Sequence, residues 1–432
     1  MKNIVIVGGG AGGLELATKL GNTLGKRSHA NIHLVDANNT HLWKPLLHEV
    51  ATGSLDSGID ELSYRAQAYN HYFNFHIGRM NNLDRTKKEI ILAPIYDDNK
   101  IEVLPERRLQ YDTLVLAIGS QTNDFGTKGA KEFCSFLDSR AQADKFHQKL
   151  LNTYLKANNT ATIKGNYKLN IAIVGAGATG VELAAELHNT ASELSAYGLD
   201  KLSSDQLQVS IIEAGDRILP ALPPRISGAA HRELEKISIQ VKTNTFIKEV
   251  TAEGFITNEG HLIEAELKIW AAGVKAPDWM KDLADLETNR ANQIMVKPTL
   301  QTTHDDNIFA IGDCSFMLQK NGVPVPPRAQ AAHQQASHVY KNLIRISEAR
   351  TPKEYTYKDK GSLVNLSRYS TVGSLMGNLS SGSMMVEGKI ARIVYVSLYR
   401  LHQVALHGYF KTALMSLSGR INKIIRPRLK LH

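Results

Sequence analysis

One pattern occurs twice in this chain and limits what it can fold into. Ile4-Val5-Ile6-Val7 is an apolar run followed by Gly8-Gly9-Gly10-Ala11-Gly12-Gly13, a helical stretch from Leu14 to about Leu24, and a second apolar run, Ile32–Val35, ending at Asp36. The second copy starts 167 residues later. It reads Ile171–Val174, Gly175-Ala176-Gly177-Ala178-Thr179-Gly180, a helix through about Tyr197, and Val209–Ile212 ending at Glu213. Strand, glycine turn, helix, strand and acid form a βαβ unit, and short apolar runs joined by helices belong to parallel sheets buried on both faces. The fold class expected is therefore α/β with two Rossmann-like domains.

The spacing of each glycine run has a mechanical meaning. The first glycine makes a tight turn, the second lets a pyrophosphate approach the backbone, and the third lets helix pack on strand. The helix N-terminus adds N–H donors and positive potential, and the acid ending the second strand accepts bonds from ribose hydroxyls. A glycine run alone is weak evidence, since a plain structural turn also uses glycine. Here both runs follow a strand, open a helix and have the acid in place, so both are read as dinucleotide sites.

An N-terminal unit followed by a second, inserted one is the plan of two-dinucleotide flavoproteins. FAD is accordingly assigned to Gly8, Gly10, Ala11, Gly12, Gly13 and Asp36, and the nicotinamide dinucleotide to Gly175, Gly177, Thr179, Gly180 and Glu213. The Glu213 carboxylate repels a 2′-phosphate, which favours NADH over NADPH; Arg217 nearby is the one residue that argues the other way. Asp313, ending Ile308–Asp313 (IFAIGD), is expected to accept bonds from the ribityl or pyrophosphate region, the alternative being a strand-end turn.

The remaining apolar runs, Asp112–Gly119 and Leu267–Gly273, read as strands that close the two domains. Pro324-Val325-Pro326-Pro327 gives a rigid entry to a helix from Arg328 to about Ile344. The expected division is 1–120 and 295–346 for the FAD domain, 121–294 for the NADH domain, and 347–432 for a C-terminal membrane-associating region.

That last assignment comes from charge. The 432 residues carry a net charge of +9, yet Gly388–His432 holds nine basic residues and no acidic one, leaving 42 basic against 42 acidic upstream. From about Tyr409 to Arg426, Leu414, Leu417, Ile421, Ile424 and Ile425 recur at helical spacing, with Lys411, Arg420, Lys423 and Arg426 elsewhere around the helix. Such a helix is expected to lie in a membrane interface, held by apolar burial and anionic lipid. A dimer helix is the alternative. Nucleic acid is not an expected partner, because no binding motif accompanies the charge.

Composition excludes other classes. With 43% hydrophobic and 22% charged residues the chain is neither disordered nor fibrous. No stretch of about 18 apolar residues is present, so no spanning helix is expected, and the opening MKNIVIV reads as strand rather than as leader. Cys134 and Cys314 stand 180 residues apart, so neither a disulfide framework, a CxxC redox pair nor a cysteine zinc site is expected; no metal is assigned.

The residues then resemble one family, the type II NADH:quinone oxidoreductases, single-subunit respiratory enzymes that do not pump protons. The two-dinucleotide plan is shared by many flavoproteins. More specific are HLWKPLLHEVA from His41, GATGVELAAEL from Gly175 and AQAAHQQA from Ala329, and with the basic tail the resemblance spans essentially the whole chain. It implies Lys44 and Pro45 beside the isoalloxazine, the Met80 backbone beside the adenine, and Ala329 and Gln330 at the flavin. It also implies Glu182 facing the nicotinamide, with Gln330 and Gln334 at the junction of flavin and quinone. The helix from Arg328 would aim its N–H groups at the flavin's pyrimidine ring. The catalytic candidates are Glu182, Gln330 and Gln334. For Glu182 the competing role is an acid complementing its helix dipole, and for the glutamines two amides sharing a helix face. His48 and His333 are candidate proton donors to the quinone if they are not simply satisfied core histidines, while Trp43 reads as packing.

The implied activity passes hydride from NADH to FAD and two electrons on to a membrane quinone. The implied setting is a homodimer, peripheral on the cytoplasmic face of the bacterial inner membrane. A sulfide:quinone oxidoreductase is the alternative; it uses cysteines on both sides of the flavin and leaves Glu213 without a purpose. Disulfide reductases need two cysteines close in sequence, and this chain has none.

Overall fold

The computed structural model describes residues 1–55, 61–164, 167–201, 206–376, 383–425 and 429–430. The chain forms two compact units, each assembled from three segments.

The first unit comprises Met1–Trp43, Glu61–Gln121 and Val274–Lys358. Its centre is a five-stranded parallel sheet in the order Ile308–Ala310, Thr113–Leu116, Lys2–Val7, Ala30–Asp36 and Asn74–Ile77. The β-branched run Ile4-Val5-Ile6-Val7 is buried throughout, as a strand covered on both faces requires. The late strand Ile308–Ala310 completes this sheet by pairing with Thr113–Leu116, so the chain returns after the second glycine motif. The helices Ala11–Leu20 and Ala329–Ser347 pack on each other. An antiparallel sheet of Met80–Asp84, Glu89–Leu92 and Arg107–Gln110 adjoins.

The second unit comprises Lys44–Asp60, Thr122–Gly273 and Asp359–His432. Its parallel sheet runs Gln240–Lys242, Leu207–Ile212, Leu169–Val174 and Leu267–Trp270, with the helix Ala178–Ala196 following the third of these. The segment from Lys44 clusters here because its helix, Leu47–Thr52, packs on Arg140–Lys164 and Ala178–Ala196. An antiparallel meander, Gly361–Leu366, Ser370–Met376 and Ser383–Glu387, leads into the C-terminal helix Gly388–Ile425.

That helix breaks at Gly408, where φ is +75° and only glycine is at ease, so a separate helical stretch begins at Tyr409. Beyond it, outward-facing Tyr409, Phe410, Leu414, Leu417 and Ile421 are all about half exposed or more, while Thr412 is 5% exposed. At 100° per residue Phe410, Leu414, Leu417 and Ile421 share one face and Thr412 lies on the opposite one. The usual arrangement is inverted, with the small polar side packed inward and the apolar side outward. Side chains of Arg420, Lys423, Ile424 and Ile425, and all of Arg426, lie outside the described residues. After the helix, the Lys430 amide donates to Gly53 O at 2.9 Å, and His147 Nε2 bonds Lys430 O at 2.8 Å. Among the described residues no helix is long and apolar enough to cross a membrane.

Candidate functional site

The two glycine turns have the same construction, and each tells fold requirements from ligand requirements. A Cβ on Gly8 would sit 2.3 Å from Ala117 O, and φ there is +104°; a Cβ on Gly13 would sit 1.9 Å from Gly8 O. Gly175 (φ +103°) and Gly180 repeat the arrangement, the Gly180 Cβ falling 2.0 Å from Gly175 O. These four glycines are needed by the fold itself. Gly10 and Gly177 are not: φ is −66° and −69°, and a Cβ on either meets nothing within 4 Å. Neither backbone nor packing asks for glycine there, whereas a group approaching the main chain does.

Both helices that follow lack a side-chain N-cap and any acidic residue in the first turn. Their N–H donors are thus left for an anion. The acids fall in matching places. Asp36 Oδ2 accepts from Gly9 N at 2.7 Å, and Glu213 Oε2 accepts from Ala176 N at 2.9 Å, in each case the amide between the first and second glycines. Asp36 Oδ1 takes Asn38 N at 2.8 Å and Glu213 Oε1 takes Gly215 N at 2.8 Å, so both carboxylates are held in position. Arg217 spends its guanidinium on Leu222 O (2.8 Å) and Pro220 O (2.9 Å), which ties it to its own loop.

In the first unit a cavity of about 410 Å³ opens beside Gly8 and Asp36 and is lined also by Met80, Arg79, Ile118 and Trp279. That volume lies in the range of small-molecule sites, and with the open second glycine it fits the nucleoside and pyrophosphate of a dinucleotide. Met80, placed here by resemblance, does line it. Arg79 and Trp279 were not foreseen: Trp279 reaches the cavity only through tertiary folding and carries no local motif.

Asp313 sits in the turn Gly312–Cys314, where its Oδ2 accepts from Ser120 Oγ at 2.8 Å and its carbonyl accepts from Gln293 Nε2 at 2.8 Å. Gln335, not singled out from sequence, is buried and accepts from Gly312 N at 2.7 Å. The helix Ala329–Ser347 again starts without a side-chain cap or first-turn acid. Gln330 lies in that first turn. The Gln334 amide is engaged by the connector, donating to Lys358 O at 2.8 Å and accepting from Lys358 N at 3.0 Å, which gives it a structural task. Lys44 and Pro45 are exposed, both in the 3₁₀ turn Lys44–Leu46 leading to the helix Leu47–Thr52.

Glu182 is 7% exposed; its Oε1 accepts from Asn365 N at 3.0 Å and its Oε2 lies 3.8 Å from His48 Nδ1. Burial, against the Asn365 bond and with Glu49 and Glu186 nearby, pushes its carboxyl up to about 8. Burial also pushes His48 down to about 4, so that imidazole is neutral at physiological pH, and its Nε2 makes no hydrogen bond among the described residues. The folded state therefore keeps a proton on Glu182 that the unfolded chain releases above about pH 4.5, and this group's contribution falls from about pH 4.5 to about pH 8 before levelling. Glu182→Gln is expected to lack that decline. Melting temperatures at about pH 5 and about pH 8.5 check it: wild type should lose several degrees more than the variant, and equal losses contradict the assignment.

Burial pushes the Cys134 thiol up to about 12 and the Cys314 thiol up to about 11, which disfavours the thiolate on either at neutral pH. The described residues contain no group of three or more His, Cys, Asp or Glu able to hold a metal ion.

Residues 2–336 match the pyridine nucleotide-disulphide oxidoreductase family. A type II NADH:quinone oxidoreductase of Haemophilus influenzae is 50% identical, the alignment covering all of both chains. Among solved structures, NDH2 from Plasmodium falciparum in complex with NADH superposes with a TM-score of 0.83 at 21% identity, covering 99% of this chain and 100% of that one. The sulfide:quinone oxidoreductase of Aquifex aeolicus gives 0.73 at 17% identity, over 98% and 95%. At such identities these two likenesses speak to the fold, and the fold is common to both chemistries. The full-length sequence likeness is what separates them: this chain belongs to the type II NADH:quinone oxidoreductases, within the pyridine nucleotide-disulphide oxidoreductase family.

Proposed function

We propose that this chain oxidises NADH and reduces a membrane quinone by way of bound FAD, without pumping protons. The observation that carries this reading is the matched pair of glycine turns, each with its second glycine facing open space and its acid fixed on the neighbouring amide. FAD, when bound, accepts a hydride from NADH and passes two electrons to the quinone.

The chain's own residues bind and orient. Gly8, Gly10, Ala11, Gly12 and Gly13 receive the FAD pyrophosphate at an uncapped helix start, Asp36 takes the ribose, and Met80 borders the adenine cavity. Lys44, Pro45, Asp313, Ala329 and Gln330 serve the flavin end. Gly175, Gly177, Thr179, Gly180 and Glu213 do the same for NADH, and Arg217, tied to its loop, leaves a 2′-phosphate without a partner. Glu182, holding its proton at neutral pH, faces the nicotinamide as an uncharged hydrogen-bonding group. Gln330 stands toward the quinone, and Gln334 supports that end of the site by fixing the connector at Lys358.

The outward apolar face of the helix from Tyr409 is the quinone's side. Burying a Phe or Leu side chain contributes about 1.5–3 kcal/mol, and basic residues near an anionic surface about 1 kcal/mol each. The proposed setting is the cytoplasmic face of the bacterial inner membrane, with the protein peripheral and homodimeric.

One experiment tests the whole reading. Purified protein is assayed with NADH, NADPH or sulfide as reductant and a quinone in anionic vesicles, beside a chain lacking residues 409–432. NADH-driven quinone reduction that falls on truncation, with the shortened chain no longer sedimenting with vesicles yet still reducing a soluble acceptor, is expected. Sulfide as the preferred reductant, or undiminished sedimentation, contradicts it.

A further inference from the structure

The helix Arg140–Lys164 divides its surface in two. Phe146, Leu150, Tyr154, Ala157 and Ala161 are buried. Opposite them, within an arc of about 120° at 100° per residue, lie Lys145, Lys149, Leu155, Lys156 and Ile163. All five are exposed, Leu155 at 54% and Ile163 at 74%. From Lys145 to Val181 the chain has five lysines and no acidic residue. The one acid of the helix, Asp144, pairs with Arg140 at 3.2 Å, which leaves the lysines of the outward face without a partner on their own helix.

A helix face that meets only water mixes both signs and sets opposite charges four residues apart. Here Lys145 and Lys149 stand four apart with like charge, which water does not favour. An anionic lipid surface does: its headgroups take the ammonium groups, and the lysine stems, Leu155 and Ile163 settle at the acyl boundary. A second copy of this face would set lysine against lysine, and a nucleic acid would have no use for Leu155 and Ile163. The position agrees. Lys430, five residues past the end of Gly388–Ile425, is bonded through its carbonyl to His147 of the helix Arg140–Lys164, and Leu429 before it is buried. At about 3.6 Å per residue, Ile425 therefore lies within about 18 Å of Lys430. The end of the helix proposed to meet the membrane and the lysine face are neighbours.

Resting on the reading that the helix from Tyr409 lies in a membrane, we propose that the face of Lys145, Lys149, Leu155, Lys156 and Ile163 is a second contact with the same anionic lipid surface. A single helix in the interface lets the body swing about it. A second contact near the end of that helix fixes the tilt. Two apolar side chains are too few to hold the protein alone, so the helix from Tyr409 retains it and the lysine face orients it.

The test uses the full chain, flavin-loaded, with vesicles of phosphatidylcholine alone or mixed with phosphatidylglycerol. One variant combines Lys145→Gln, Lys149→Gln and Lys156→Gln. Each basic residue near an anionic surface is worth about fivefold in binding, so affinity for the anionic vesicles is expected to fall at least about tenfold. Binding to neutral vesicles and NADH-driven reduction of ferricyanide should stay as in wild type. The difference should close in about 1 M salt, where charges are screened beyond about 3 Å. Leu155→Trp reports contact directly: over the background of Trp43, Trp270 and Trp279, its added emission should be quenched by brominated lipid once the protein is bound. All four positions are exposed, so the substitutions leave the packed face of the helix intact. Equal affinity of the lysine variant, a loss that persists in salt, or unquenched Leu155→Trp in bound protein overturns the proposal. A wild-type chain that binds neither kind of vesicle overturns the membrane reading itself.

Discussion

Gly10→Val is expected to give a folded, colourless protein. The position tolerates a side chain as far as the chain is concerned: φ is −66° and nothing lies within 4 Å of an added Cβ. What the valine fills is the space in front of the uncapped N-terminus of Ala11–Leu20, where the FAD pyrophosphate is proposed to sit. Affinity should drop by at least about 100-fold, equivalent to about 2.7 kcal/mol. The melting temperature should match that of flavin-stripped wild type, because the only stability lost is that conferred by ligand. Gly13→Val supplies the contrast. Its Cβ would overlap the Gly8 carbonyl at 1.9 Å, so flavin and fold should be lost together. Flavin content by absorbance, read beside circular dichroism, separates the two outcomes; a yellow, stoichiometrically loaded Gly10→Val protein would contradict the site.

Glu213→Arg carries the second large effect. The carboxylate accepts from Ala176 N and Gly215 N, so it fixes the second glycine turn while remaining an acceptor for ribose hydroxyls. Hydrogen bonds to a charged group contribute about 1.5–3 kcal/mol, so kcat/KM for NADH should fall about 10- to 100-fold. NADPH use should rise, since the guanidinium replaces the repelling charge and Arg217 stays tied to Leu222 and Pro220. Steady-state kinetics with both nucleotides measure this, and an unchanged preference would remove Glu213 from the nucleotide site.

The parts legible in the sequence were those that local chemistry dictates. Runs such as Ile4–Val7 and Ile171–Val174 are apolar throughout and mostly β-branched, and a glycine turn after each leaves a parallel strand as the natural outcome. The glycine turns and their acids were readable because they lie close together in the chain. Less was visible where distant segments meet. Glu15 reads as one helical acid, and its link to His333 and Ser337 exists only because two helices more than 300 residues apart in sequence pack together. Nothing local distinguishes Glu15 from Glu182; surroundings make one carboxyl ionised and the other protonated. The last helix shows the same limit. Its stripe was visible only from about Tyr409, whereas helix begins at Gly388, because residues before Gly408 mix polar and apolar side chains without one clean face. Which face points outward was not readable at all, and burial of Thr412 answers it.

The most direct measurement is an anaerobic titration of the purified protein with NADH, followed by its flavin absorbance. A yellow protein that one equivalent of NADH bleaches and one equivalent of quinone restores is expected. A protein colourless even after reconstitution with FAD, or one that stays oxidised under excess NADH while sulfide bleaches it, would contradict it.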